Sequence, residues 1–182
     1  MPSTTESIVL GGGCFWCTEA VFKEISGVVE VEPGYAGGNI PNPDYRMVCT
    51  GNTGHAEVVL VKFDTEEISL KEILEIFFGT HDPTTLNRQG ADFGTQYRST
   101  ILYKDEGQKK IAEETIKEMT TNKVFKNPIV TTVEPLGEFY PAEDYHHDYY
   151  AKNPQAGYCM MVISPKVSKL RKKFSDRMKV KS

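Results

Sequence analysis

The chain has 182 residues, 39% of them hydrophobic, four cysteines and a formal net charge of −4. That size and balance fit a single domain, residues 1–182, with a sizeable core, and exclude disordered, fibrous and membrane-spanning chains; no apolar run approaches the roughly 20 residues of a membrane helix. Cysteines at 14, 17, 49 and 159 are too sparse for a secreted disulfide scaffold, so a soluble, cytoplasmic protein with reduced thiols and no secretory signal is expected, and the acidic balance argues against nucleic-acid binding.

Ser7 to Leu10 reads as a short strand, Gly11 to Gly13 as a tight turn, and Thr18 to Ile25 as a helix. Cys14 therefore falls at a helix start, where unpaired N–H groups and the helix dipole favour a thiolate. A second strand begins at Val28 and runs towards the glycines at 34, 37 and 38. Residues 39–54 have the proline, asparagine and glycine content of a long surface loop. His55 to Phe63 is a strand with two apolar faces, hence central in a sheet. Ser69 and Glu72 fit a capping box, and Leu70, Ile73, Leu74, Phe77 and Phe78 follow at helical spacing. Another long loop, Thr80 to Gln96, precedes a strand from Tyr97 to Tyr103.

This order gives an α/β protein, an α+β two-layer sandwich with a ferredoxin-like βαββαβ core. A C-terminal extension adds a helix over 105–121, a strand over 129–133, a short helix over 142–152 and a closing helix from about Lys166. The basic residues between Lys166 and Lys181 read as a solvated helix face.

Cys14 and Cys17 stand three apart, which puts helical β-carbons about 5–6 Å apart. A disulfide needs ~3.5–4.5 Å, so a small adjustment would let the pair bridge. Two buried small hydrophobes, or a zinc site completed by Cys49 and His55, are the competing readings of the same residues. Phe15 and Trp16 would wall a small apolar group beside the sulfur. Glu57 shares a strand face with Val59, Val61 and Phe63, surroundings that raise a carboxyl pKa and keep the group protonated as a proton donor. Tyr35 and Tyr97 border loops as hydrogen-bond donors or loop anchors, and His146 and His147 on a helix would face one inward and one outward.

The sequence resembles the A-class peptide methionine sulfoxide reductases. The likeness is carried by Gly13-Cys14-Phe15-Trp16, Gly34-Tyr35-Ala36-Gly37-Gly38, Gly54-His55-Ala56-Glu57, His81-Asp82-Pro83, the run from Arg88 to Ser99, and Ala142-Glu143-Asp144-Tyr145-His146. It implies reduction of methionine S-sulfoxide, free or in proteins, as a repair of oxidised methionine. It makes Cys14 the nucleophile, Phe15 and Trp16 the methyl pocket, Glu57 the acid, Tyr35 and Tyr97 donors to the sulfoxide oxygen, Asp92 a support for that polar group, and His146 a further binding residue. It also implies thioredoxin as reductant, with no metal or bound organic cofactor required.

The likeness departs from the commonest family pattern at Cys17, where many members carry another residue. Gly157-Tyr158-Cys159 matches the family's later, resolving cysteine. Cys159 follows a flexible Asn-Pro-Gln-Ala-Gly segment and is preferred over Cys17, because attack on a sulfenic sulfur needs a freely aimed thiol. Cys49 reads as a bystander.

Overall fold

The computed structural model describes residues 4–174 apart from 91, 154 and 158. In chain order the elements are β1 (Thr5–Gly11), α1 (Phe15–Lys23), β2 (Val28–Ala36), α2 (Tyr45–Cys49), β3 (Ala56–Asp64), α3 (Leu70–Gly79), β4 (Arg88–Gln89), β5 (Asp92–Phe93) and β6 (Thr100–Tyr103). There follow α4 (Glu106–Thr121), β7 (Thr132–Pro135), β8 (Tyr140–Pro141), α5 (Tyr149–Lys152) and α6 (Ser164–Lys173).

Six strands form one mixed sheet in the order β7-β6-β1-β3-β2-β8, with β4 and β5 as a separate hairpin. All neighbours in the large sheet are antiparallel except β6 and β7. β3 lies between β1 and β2, which explains why its sequence is apolar on both faces. Val59, Val61 and Phe63 join the main core with Phe22, Leu74, Phe77 and Ala112 from α1, α3 and α4. Val58 and Ala56 face the opposite way, into a smaller cluster covered by Leu136 and Phe139. The helices therefore pack on one face of the sheet. No helix among the described residues is long and apolar enough to cross a membrane.

Local chemistry sets the boundaries. α3 has the expected capping box, Ser69 and Glu72 each satisfying the other's backbone N–H. α1 starts three residues before the expected Thr18, because Cys14 itself takes the extended cap conformation, φ −63 and ψ 130. The loop over 39–54 contains α2, started by the Asp44 side chain accepting from Met47 N at 2.8 Å. Tyr97 lies in a one-turn 3-10 helix, Thr95–Tyr97, and the strand begins only at Thr100. The strand expected over 129–133 is shifted to β7, where it can pair with β6. The helix expected over 142–152 is broken into a 3-10 turn, Asp144–His146, and α5. The break is Asp148, at φ 60, whose N–H is taken by Glu19 Oε1 at 2.8 Å.

Candidate active site

Gly13 has φ 97, and a Cβ there would lie 2.7 Å from Gln89 Cγ. Only glycine fits such a turn, and the turn delivers Cys14 directly onto the start of α1. Cys14 is buried, and so are Phe15 and Cys17 beside it. The position at a helix start would favour a thiolate, but burial outweighs it. Desolvation first, then the hydrogen bond with Cys17 and the nearby Glu57, push the Cys14 thiol well above its ordinary pKa. At neutral pH the resting sulfur is a thiol.

Glu57 stands opposite Tyr35 in the β2–β3 ladder, on the face turned towards the helices. Its Oε1 accepts the Phe15 N–H at 3.2 Å, which joins the central strand to the first turn of α1. Its Oε2 is buried without a hydrogen-bond partner. Burial raises the carboxyl pKa to about 8; the Phe15 N–H relieves this in part, while the charges of Asp92 and Cys17 add to the rise. A neutral carboxylic acid is what a group with that pKa is at pH 7.

Aromatic rings surround this pair. Phe15 lies 5.6 Å from Tyr35, 4.9 Å from His146 and 6.3 Å from Tyr45, centre to centre. Trp16 stacks on Tyr149 at 3.8 Å and 8°, and its indole N–H donates to His146 Nδ1 at 2.9 Å. Since an indole can only donate, the proton of a neutral His146 sits on Nε2, which is buried without a partner. Burial also lowers the pKa of His146, consistent with that neutral form. His146 faces inward as expected, while His147, expected to face solvent, is half-buried at the end of a 3-10 turn.

The polar side is made by tyrosines. The Tyr35 hydroxyl donates to Glu143 Oε1 at 2.9 Å, while Glu143 Oε2 accepts Tyr45 N at 3.0 Å. Tyr97 is pushed above the ordinary phenol range by burial and by the charges of Glu57, Cys49, Asp92 and Cys14 around it. Tyr45 is raised similarly, by burial and then by Glu57 and Cys49, and its side chain is hydrogen-bonded to that of Cys49 one turn on. The fold thus brings together Cys14, Phe15, Trp16, Cys17, Tyr35, Glu57, Asp92, Tyr97 and His146.

Sequence reasoning missed Tyr45, Cys49, Tyr149 and Glu143 as members of the site. Asp44 two residues after Pro41-Asn42 was a readable helix cap and would have placed Tyr45 and Cys49 on one helix face; Glu143 stood within a family block without a role of its own, and nothing local marks Tyr149. Two expected residues fall otherwise. The Cys159 backbone opens a π-helical turn, Cys159–Ile163, but its side chain lies outside the described residues. His55 is no metal ligand: its Nδ1 accepts from Gly38 N at 3.1 Å and its Nε2 meets the Ile40 carbonyl at 2.7 Å. Among the described residues no cluster of three or more metal-binding side chains occurs.

Residues 6–178 match the family model described as peptide methionine sulfoxide reductase. The peptide methionine sulfoxide reductase MsrA of Trichodesmium erythraeum is 60% identical over 95% of this chain and 98% of its own length. The crystal structure of reduced Mxr1 from Saccharomyces cerevisiae is similar with TM-score 0.77 and 38% identity, over 85% of this chain and 89% of that one. Mxr1 in complex with Trx2 is similar with TM-score 0.56 and 26% identity, over 82% of this chain and 87% of that one. With a family match over nearly its whole length and a relative this alike, the chain belongs to the peptide methionine sulfoxide reductases.

Proposed function

We propose that the chain reduces methionine S-sulfoxide, free or in proteins, to methionine, with Cys14 as nucleophile and Glu57 as proton donor. The observation that carries the reading is the buried pair itself: a thiol at a helix start and a carboxyl kept neutral beside it, with one oxygen unpartnered. A sulfoxide has an electrophilic sulfur, but its oxygen leaves sulfur only once protonated.

Glu57 gives its proton to the sulfoxide oxygen and takes the thiol proton of Cys14. The Cys14 sulfur bonds to the sulfoxide sulfur, the hydroxyl passes from that sulfur to the Cys14 sulfur as the old sulfur–oxygen bond breaks, and the sulfur–sulfur bond breaks with its electron pair going to the departing methionine. Cys14 is left as a sulfenic acid, oxidised by two electrons, and the sulfoxide is reduced by two. Phe15 and Trp16, backed by His146, close round the methyl group, while Tyr97 and Tyr35 lie on the oxygen's side with Asp92 as support.

A second thiol then attacks the sulfenic sulfur, expelling water and leaving a disulfide. The hydrogen bond between Cys14 and Cys17 supports Cys17 for this step, against Cys159, which the sequence reading prefers. A thioredoxin completes the cycle by disulfide exchange, as the complex of Mxr1 with Trx2 suggests for this family. Thiols kept reduced in the cytoplasm suit that cycle. The antiparallel order β6-β1-β3-β2 supports reading the centre of the sheet as ferredoxin-like, inside one catalytic domain over residues 1–182.

The test is mass mapping after one equivalent of methionine sulfoxide and no reductant. One methionine and one disulfide per chain are expected, with Cys14 bonded to Cys17. A Cys14–Cys159 bond moves the resolving role to Cys159, and no methionine at all contradicts the function.

A further inference from the structure

We infer that Glu143 is a positioning residue that locks the Tyr35 hydroxyl hydrogen away from the substrate and holds the aromatic cage together, leaving Tyr97 as the phenol that donates to the sulfoxide oxygen. The inference rests on the reductase reading above and assigns a division of labour within that site.

A phenol has one hydrogen. In the substrate-free site that of Tyr35 goes to Glu143 Oε1, at 2.9 Å. The acceptor is charged: burial works against its ionisation, but the Tyr45 N–H, its own backbone N–H and the Tyr35 hydroxyl hold the Glu143 carboxyl below the usual carboxylate range. A hydrogen bond to an ionised acceptor is about twice as strong as one between neutral groups, so a neutral sulfoxide oxygen does not draw that hydrogen away. Among the described residues the Tyr97 hydroxyl has no such acceptor, and it shares its surroundings with Glu57, Asp92 and Cys14.

Both oxygens of Glu143 are engaged, and each bond fixes a different element. Oε1 holds Tyr35 on β2, Oε2 holds the backbone at the start of α2, and the residue itself caps the 3-10 turn that carries His146. Tyr35, Tyr45 and His146 are the three rings that meet Phe15. One half-exposed carboxylate thus sets the spacing of a cage whose members come from three separate stretches of chain. A glutamine has only one accepting oxygen, and its amide would have to present N–H to a group that itself needs an acceptor.

The experiment measures steady-state and single-turnover methionine formation for the intact wild type and for Glu143→Gln, Tyr35→Phe, Tyr97→Phe and the double variant Glu143→Gln/Tyr35→Phe. Glu143→Gln is expected to lower kcat/KM on the order of tenfold, mostly through KM, as misplacement of binding groups does. The double variant should lose no more than about twice what Glu143→Gln loses, because the two residues act through one bond. Tyr97→Phe should slow sulfenic acid formation more than Tyr35→Phe does. Fully multiplicative losses in the double variant, an unchanged KM in Glu143→Gln, or a larger loss in Tyr35→Phe than in Tyr97→Phe would each overturn the inference. Inactive wild type would instead sink the reductase reading, which separates the two failures.

Discussion

Buried Glu57 and half-buried His81 both lie against the glycine turn that presents Cys14, one beside Gly11 and the other beside Gly12, yet their polar atoms fare differently. His81 hydrogen-bonds the Phe77 carbonyl through Nδ1 and Ser99 Oγ through Nε2, and Ser99 is in turn bonded to Thr131 at 2.7 Å. The carbonyl can only accept, so Nδ1 carries the proton and Nε2 receives one from Ser99. Burial pulls the His81 pKa down to about 4, and the ring stays neutral with both nitrogens used. Glu57 instead keeps an oxygen without a partner. A buried polar group with every bond made braces a fold, and one with a bond missing costs stability and is available for chemistry.

That contrast can be broken by substitution, and the largest effect belongs to the reactive side. Cys14→Ala should abolish methionine formation altogether, as judged by chromatography of the product; any normal-rate turnover would remove the sulfur from the account. Trp16→Ala should cost about 10–200-fold in kcat/KM, the range for a lost apolar contact in a pocket. Because Trp16 is the sole tryptophan, its fluorescence should also change when methionine sulfoxide enters the wild-type site.

On the bracing side the readout is stability. His81→Ala should lower unfolding free energy by about 2–4 kcal/mol in denaturant titration, from a cavity plus the orphaned Ser99 hydroxyl. If KM rose tenfold while stability held, His81 would belong to the site. Glu57→Gln should act in the opposite sense. A carboxyl whose folded pKa is raised to about 8 gives stability present below the unfolded value near 4.3 and lost as pH climbs through 8. The variant should therefore melt higher than wild type at pH 9, with the gap closing towards pH 4. Ser69→Ala, in the α3 capping box far from the chemistry, should cost only about 1 kcal/mol and leave kcat/KM unchanged.

The difference between the two regions also explains what could be read from sequence. Cys14, Glu57 and α3 were legible because their environments are dictated locally: a glycine turn, strand alternation, a capping box. The thiolate expected at Cys14 was a local inference too, and burial works against it; part of the surrounding cage, His146 and Tyr149, comes from over a hundred positions away. The role of Glu143, the place of Tyr149 and the break at Asp148 were invisible for the same reason. Glu19 holds Asp148 from 129 residues upstream, and no periodicity in 142–152 encodes that contact.

The central claim is that Glu57 works as a protonated acid, and a pH profile of the single-turnover rate tests it most directly. Protonated Glu57 disappears as pH rises through about 8, so wild type should show a descending limb there. Glu57→Gln should react about 10²–10⁴-fold more slowly and lack that limb. The same limb in both proteins, or an unchanged rate in the variant, would contradict the account.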